Sequence, residues 1–250
     1  MAVSAAGTTL TARHRLAQLT LRQATLTDLM RLWRTFDPAD LNGSWGALEP
    51  ALTALIQARR PVSANIAANY LADFRRAEQV TGSVRPALSA SVSTDALVPN
   101  LRTVGPVNAL RMVQLGRPLD DIARVTFVNV EGEVTRQVLG GGRQTILDTV
   151  HRDPQARGYI RVTDGSPCAF CALLAGRGPV YRSQDAGAFD AHRACGCTAE
   201  PVYRTDQPWP GSAARYRDLY REAARAVPKT TSDWSAEVRR EFRRRYERAA

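Results

Sequence analysis

Residues 167–197 read PCAFCALLAGRGPVYRSQDAGAFDAHRACGC, and this stretch decides how the C-terminal part of the chain folds. It holds all four cysteines of the 250-residue chain, as Cys168-x2-Cys171 and Cys195-x-Cys197, together with His192. Thiolate and imidazole groups at such spacing are typical of tetrahedral zinc sites, in which each pair holds one side of the ion. The spacing therefore predicts a small cross-linked knuckle with structural zinc as its cofactor.

Five candidate metal ligands compete for four positions, namely Cys168, Cys171, His192, Cys195 and Cys197. His192 is the ligand that the site needs least, because four thiolates would satisfy the metal without it. Disulfides or free thiols are the alternative to a metal, although a reducing cytosol disfavours disulfides. The pattern favours a structural site, since a catalytic zinc keeps an open position beside an acid or a base.

Short strands are predicted around the cluster, at 159–162, 179–181 and 197–203, between glycine- and proline-rich turns. Working outward, residues 1–80 show apolar side chains at helical spacing. One helix is predicted to end before Asp37-Pro38, and a second follows the turn at Asn42-Gly43-Ser44. A third helix is predicted to open at Pro61, since proline suits the first turn of a helix.

Residues 81–100 lack helical periodicity and are predicted to be a linker or an extended segment. Helix is predicted again over 101–157, and Gly140-Gly141-Gly142 is interpreted there as a hinge or a close helix contact. The knuckle is predicted to span 158–205, and basic helices follow over 206–250. The predicted fold class is mainly α with a small α+β zinc-knuckle domain.

The net charge is +10, and 33 of the 34 basic residues are arginine. The last forty residues carry 11 basic and 6 acidic side chains, which is half of the excess. A basic excess favours an acidic partner such as nucleic acid, here without sequence readout. The predicted phosphate-binding residues are Arg239, Arg240, Arg243, Arg244 and Arg248. The alternative is a solvated helix with the ion pairs Glu237–Arg240 and Glu241–Arg245.

Two stretches of the knuckle, 161–181 and 191–203, resemble the MuF family of phage minor head proteins. Together they contain a CxxC, a glycine-containing turn into a strand, and then HxxCxC. Arg193 stands where that family usually has a proline after the histidine. The motif LWRTFDP at 32–38 and NGSW at 42–45 resemble the longer form found in phages of high-GC actinobacteria.

The MuF resemblance implies a virion or prohead component of few copies, located in the prohead interior and, during assembly, in the host cytoplasm. It implies a role in head morphogenesis near the portal, with the portal protein, major capsid or scaffold proteins and packaged DNA as partners. Some relatives travel with the DNA into the host. Proteins of this type are also often described as capsid maturation proteases.

Enzymatic activity is not favoured by the residues themselves. No GxSxG serine accompanies any of the three histidines, and His14 is predicted to be solvated. His151 could pair with Asp148, and Cys195 or Cys197 could act as a nucleophile with His192 as base. The H-x-E half of a deaminase signature is absent. No apolar run is long enough to span a membrane, and no signal peptide or membrane partner is expected.

Overall fold

The structure is a computed structural model that describes residues 2–178, 189, 191–206 and 209–249. The described part is mainly helical, as predicted, and it contains one two-stranded antiparallel sheet. Its elements in chain order are α1 (Ala5–Trp33), α2 (Leu41–Ala77), α3 (Thr94–Arg102), a π-helical turn (Thr103–Val107), α4 (Asn108–Gln114), α5 (Leu119–Arg152), β1 (Tyr159–Val162), α6 (Ala169–Ala175), β2 (Thr198–Pro201), α7 (Ala213–Ala226) and α8 (Trp234–Ala249). The strand predicted at 179–181 lies outside the described residues. Within them, no helix is long and apolar enough to cross a bilayer.

The three long helices α1, α2 and α5 pack on one another as a bundle. α1 ends before Asp37-Pro38, as the sequence predicts. The turn predicted at Asn42-Gly43-Ser44 is wrong, because α2 already begins at Leu41 and Asp40 caps it by accepting from the Gly43 N–H.

The prediction of a separate helix opening at Pro61 is also wrong, because α2 runs without a break through Pro50 and Pro61. The buried stripe of α2 stays in helical phase across both prolines. Packing against α1 and α5 therefore outweighs the hydrogen bond that each proline removes.

Gly140-Gly141-Gly142 does not interrupt α5, which continues to Arg152. The glycines mark a close contact with α2. A Cβ at Gly141 would overlap the main-chain oxygen of Arg60, and the Gly142 N–H donates to Ser63 Oγ at 2.9 Å. The close-contact interpretation is therefore confirmed and a hinge is not observed.

Residues 81–93 of the segment 81–100, predicted as a linker or extended, lie against α5 without regular secondary structure. Residues 94–100 belong to the helix α3, so that part of the prediction is wrong. The main-chain N–H groups of Ala87 and Ser89 donate to Thr149 Oγ1 and Thr145 Oγ1, each at 2.9 Å. Both threonines are buried on α5, so they satisfy backbone groups that have no strand partner. Whether this segment separates two domains stays a prediction.

The two strands join the helical bundle to the C-terminal part. β1 pairs antiparallel with β2, and Tyr159 and Ala199 pack against Phe74 in one buried cluster. Glu200 on β2 is 1 % exposed and accepts a 2.7 Å hydrogen bond from Thr11 Oγ1 on α1. A second apolar core holds α6, α7 and α8 against the sheet.

A buried ion pair also ties the bundle to the chain after α5. The Arg75 guanidinium contacts the Asp153 carboxylate and donates to the Thr81 carbonyl at 2.9 Å. Tyr203 Oη donates to the same carboxylate at 3.0 Å. Burial raises the pKa of the Tyr203 hydroxyl above its usual range, so it stays protonated as this donor.

Candidate metal centre

The fold brings both halves of the cysteine motif to one place beside the sheet. Cys168 is the N-cap residue of α6 and Cys171 lies in its first turn. Cys195 and Cys197 lie in the segment that leads into β2. This segment is anchored on α5, because Ala194, which has a positive φ of 58°, donates its N–H to the Gly132 carbonyl at 3.2 Å.

Three cysteine sulfurs form a buried trio, which we define as Cys171, Cys195 and Cys197. Each residue is 1 % exposed, and the three Sγ atoms lie within 4.8 Å of one another. Cys171 Sγ is 3.5 Å from Cys195 Sγ. All four cysteines of the chain lie in the described part, and no disulfide joins them.

The two remaining candidates form an exposed rim beside the trio. His192 Nε2 is 3.3 Å from Cys168 Sγ, and His192 Nδ1 is 3.4 Å from Cys171 Sγ. Both rim residues are exposed, and the Phe170 ring meets the imidazole edge to face at 6.0 Å. All five predicted ligands therefore lie together, in two groups that share Cys171.

Two buried arginines flank the trio, and neither is among the site residues predicted from the sequence. Arg143 on α5 donates from Nε to the Cys197 carbonyl at 3.0 Å and also contacts the Cys195 carbonyl. Arg161 on β1 places Nη1 at 4.0 Å from Cys171 Sγ and 3.9 Å from Cys195 Sγ. The Phe189 ring lies against both guanidinium groups, at 5.1 Å from Arg143 and 3.7 Å from Arg161.

The charges of the trio depend on one another. Hydrogen bonds from Cys171 and Cys197, together with Arg143, lower the pKa of the Cys195 thiol well below its usual range. The same hydrogen bond to Cys195, with burial, raises the pKa of the Cys171 thiol. The shifts have opposite directions because adjacent buried negative charges repel, so ionisation of one thiol opposes ionisation of its neighbours.

This donor set fits a thiophilic metal ion. Three buried sulfurs lie within 4.8 Å of one another, and Cys168 and His192 supply further soft or borderline donors at the rim. A bound divalent ion would replace thiol protons and join α6, the 191–197 segment and β2 at one point. The Cys/His groups could therefore hold a metal.

The other histidines do not form a catalytic pair. His14 is 4 % exposed, which corrects the prediction of a solvated ring: it stacks on Tyr70 at 4.4 Å and contacts Gln18. The Asp148 carboxylate accepts from Gln144, and among the described residues neither ring nitrogen of His151 has a hydrogen-bond partner. The His151–Asp148 pair that the sequence allows is therefore not formed.

The cysteines that the sequence offers as nucleophiles are also unsuited to that role. Cys195 and Cys197 are buried, and the His192 nitrogens contact Cys168 and Cys171 instead.

The C-terminal helix α8 supports the cluster from one side and presents arginines on the other. Val238 and Phe242 are 1 % exposed, and Tyr246 Oη donates to the carbonyl of Pro167, the residue before Cys168. The predicted ion pairs are confirmed: Glu237 with Arg240 at 2.5 Å, and Glu241 with Arg245 at 2.7 Å.

The predicted phosphate-binding arginines fall into two groups. Arg240, Arg244 and Arg248 contact Glu237 or Glu241. Arg239 and Arg243 make no ion pair within the part of the chain that the structure describes. Nucleic-acid binding by these residues stays a prediction.

The comparison with protein families identifies the group to which these features belong. The family described as "VG15 protein" matches residues 6–223, which include the bundle and the whole Cys/His cluster. The chain belongs to the VG15 family. The match ends before α8, so the exposed arginines of that helix lie outside it.

A curated relative of this VG15-family chain is the Gene 15 protein of Mycobacterium phage D29. The two are 28 % identical over 140 residues, which cover 42 % of this chain and 49 % of the relative. The chain thus spans about half the length of that relative. No solved structure matches. The family and the relative together indicate a phage protein.

Proposed function

We propose that the chain is a MuF-type minor capsid protein that acts near the portal during head morphogenesis. The observation that carries the proposal is the CxxC and HxxCxC cluster, folded around a buried trio, within a chain of a phage protein family. The relative from a mycobacteriophage supports the actinophage type. The portal protein and major capsid or scaffold proteins are the proposed partners, and the prohead interior is the proposed location.

Structural zinc is the proposed metal of the cluster. Zinc prefers four thiolate or imidazole ligands, and the candidate ligands here are of those two kinds only. A zinc ion bound here would act as a cross-link, because the described residues after α5 form two short strands and three short helices with a small core. The metal would therefore stabilise the surface that contacts the head.

Fractionation of phage particles tests the location. We expect the chain to be found by quantitative mass spectrometry in purified proheads and virions, at a few copies per portal ring. A nonsense mutant should yield fewer filled heads, and a plasmid copy should restore them. Presence in the lysate with absence from both particles would contradict the proposal.

Contact with packaged DNA is a second candidate role, favoured by Arg239 and Arg243. Within the described residues neither guanidinium group forms an ion pair with a carboxylate, whereas Arg240 and Arg244 each form one. In the full chain, Arg239→Gln with Arg243→Gln should lower the salt slope of DNA binding by about 2, because each phosphate contact contributes about 0.9. The matched pair Arg240→Gln with Arg244→Gln should change it less, and equal effects would contradict this assignment.

A capsid maturation protease is the alternative function. Its exposed candidate nucleophile is Cys168, with His192 Nε2 at 3.3 Å. The second ring nitrogen of His192 faces Cys171 instead of an orienting carboxylate, which is a poor arrangement for a triad. If Cys168→Ala abolishes processing of the major capsid protein while the variant stays folded and enters proheads, the protease assignment replaces the structural one.

A further inference from the structure

Exposed apolar side chains are concentrated in the short segment that follows the π-helical turn. Twelve large apolar side chains are exposed in the part of the chain that the structure describes, and five of them lie between positions 107 and 119. We call these five the α4 surface: Val107, Leu110, Val113, Leu115 and Leu119, with exposed fractions of 41–68 %. Apolar residues scattered singly over a surface are ordinary, whereas a local concentration of them is typical of a protein contact.

Three residues of the α4 surface form one wall of a groove. Val107, Leu110 and Val113 follow one another at intervals of three positions, and residues 38–42 line the opposite side. The groove has a volume of about 460 Å³. Ala109 is the one buried residue of α4, so the exposed side chains of this wall add little to the packing of the helix on its own chain.

The π-helical turn that begins this wall is fixed to the core of the bundle. Gly105 lies so close to the Trp45 ring that a Cβ at this position would overlap the ring. Trp45 is 5 % exposed and Val104 is 4 % exposed, so both belong to the buried core. Because this packing holds the turn in place, Val107 is presented to a partner with little ordering cost for the backbone.

The two sides of the groove carry opposite charges. From 37 to 42 the chain has Asp37 and Asp40 and no basic residue, whereas the α4 surface has Arg111 and Arg117 between its apolar residues and no acidic one. All four charged residues are exposed. Salt bridges between described residues involve neither of these aspartates, and they do not involve Arg111. Charges of both signs are thus free to pair with a molecule that enters the groove.

We infer that the α4 surface is an interface between two copies of this chain related by a two-fold axis. Such an axis brings the same patch of both copies together, so the apolar row of each copy enters the groove of the other. It also places the basic side of each patch against the acidic side of the other, with Arg111 facing Asp37 and Asp40. A patch that is acidic along one side and basic along the other is complementary to itself, which favours a second copy as the occupant.

Analytical ultracentrifugation of the full chain under reducing conditions tests the interface. At protein concentrations from about 1 to 100 µM, the mass should rise from 27.4 kDa towards twice that value. Leu110→Ser with Val113→Ser should raise the dissociation constant of the dimer about tenfold or more, because each change counts twice in a symmetric interface. The matched control is Leu16→Ser with Met30→Ser, two exposed positions on α1, which should leave that constant unchanged. Since all four positions are exposed, circular dichroism should show an intact helical fold.

An exchange of charges tests the two-fold arrangement. Arg111→Glu alone and Asp37→Arg alone should each weaken the dimer, because like charges then face each other twice. An equal mixture of the two variants should form a heterodimer, since both contacts again join opposite charges. Asp37 is preferred to Asp40 for this exchange, because the Asp40 side chain also caps α2.

A wild-type chain that stays monomeric over the whole concentration range would overturn the inference. So would a dimer that the Leu110 and Val113 substitutions leave as tight as the wild type. If the monomer instead binds purified portal protein and the same two substitutions abolish that binding, the α4 surface belongs to that partner and not to a second copy.

Discussion

His14 should make the stability of the protein depend on pH between about pH 3 and pH 6.5. Its ring is 4 % exposed, stacked on Tyr70, and burial lowers its pKa from 6.5 to about 3. The unfolded chain therefore binds a proton near pH 6.5 that the folded chain does not bind until about pH 3. The contribution of the neutral His14 ring to the free energy of unfolding is complete above pH 6.5. It is lost as the pH falls towards 3.

The magnitude follows from the two pKa values. One pKa unit corresponds to about 1.4 kcal/mol, so lowering the pH from 7 to 5 should remove about 2 kcal/mol of unfolding free energy through His14 alone. The hydrogen-bond network fixes the neutral tautomer. Gln18 Nε2 donates to the Ser63 carbonyl at 3.0 Å and lies 3.3 Å from His14 Nε2, which is then the acceptor.

Urea unfolding at pH 7 and pH 5 measures this effect in wild type and in His14→Gln. A chelator and a reductant are present throughout, so that the cysteines contribute equally to both proteins. The wild type should lose about 2 kcal/mol more than the variant on acidification. An equal loss in both proteins would refute the assignment of this pH dependence to His14.

Three further predictions concern packing and the cluster. Gly141→Ala should destabilise the protein by about 1–3 kcal/mol in urea unfolding, since its Cβ overlaps the Arg60 main chain, and a wild-type midpoint would contradict this contact. Arg75→Met should lower the free energy of unfolding by about 3–5 kcal/mol, because the Asp153 carboxylate is left buried without its ion-pair partner. The double variant Arg75→Met with Asp153→Leu should recover part of that loss. Chelation at neutral pH should lower the melting temperature of the protein, and re-addition of Zn²⁺ should reverse the change; an unaltered temperature would show that no metal stabilises the cluster.

The long helices and the place of the cluster could be predicted well from the sequence, because both depend on local patterns. Apolar spacing is enough to predict α1 and the first part of α5, and the CxxC and CxC spacing predicts that the five ligand candidates lie at one site. The helix start predicted at Pro61 is wrong, because it rests on the local preference of a single proline. Tertiary packing of α2 against two neighbouring helices outweighs that preference.

Residues whose role depends on distant partners could not be predicted from local patterns. His14 lies between two arginines in the sequence, yet it is buried because α1 packs that face on Tyr70. Arg143 and Arg161 are separated from Cys195 by 52 and 34 positions, so only the assembled fold reveals these contacts. An arginine within the buried strand Tyr159–Val162 is the one local signal that could have pointed to a buried anionic neighbour.

The hydrogen bond between Thr11 and Glu200 has a consequence for the order in which the chain folds during synthesis. The two residues are 189 positions apart, and the Thr11 hydroxyl is buried. Translation at about 5–20 residues per second separates their emergence from the ribosome by roughly 10 to 40 s. Throughout that interval the start of α1 lacks the carboxylate that completes its buried polar contacts, so α1 is fully packed only after β2 has been synthesised.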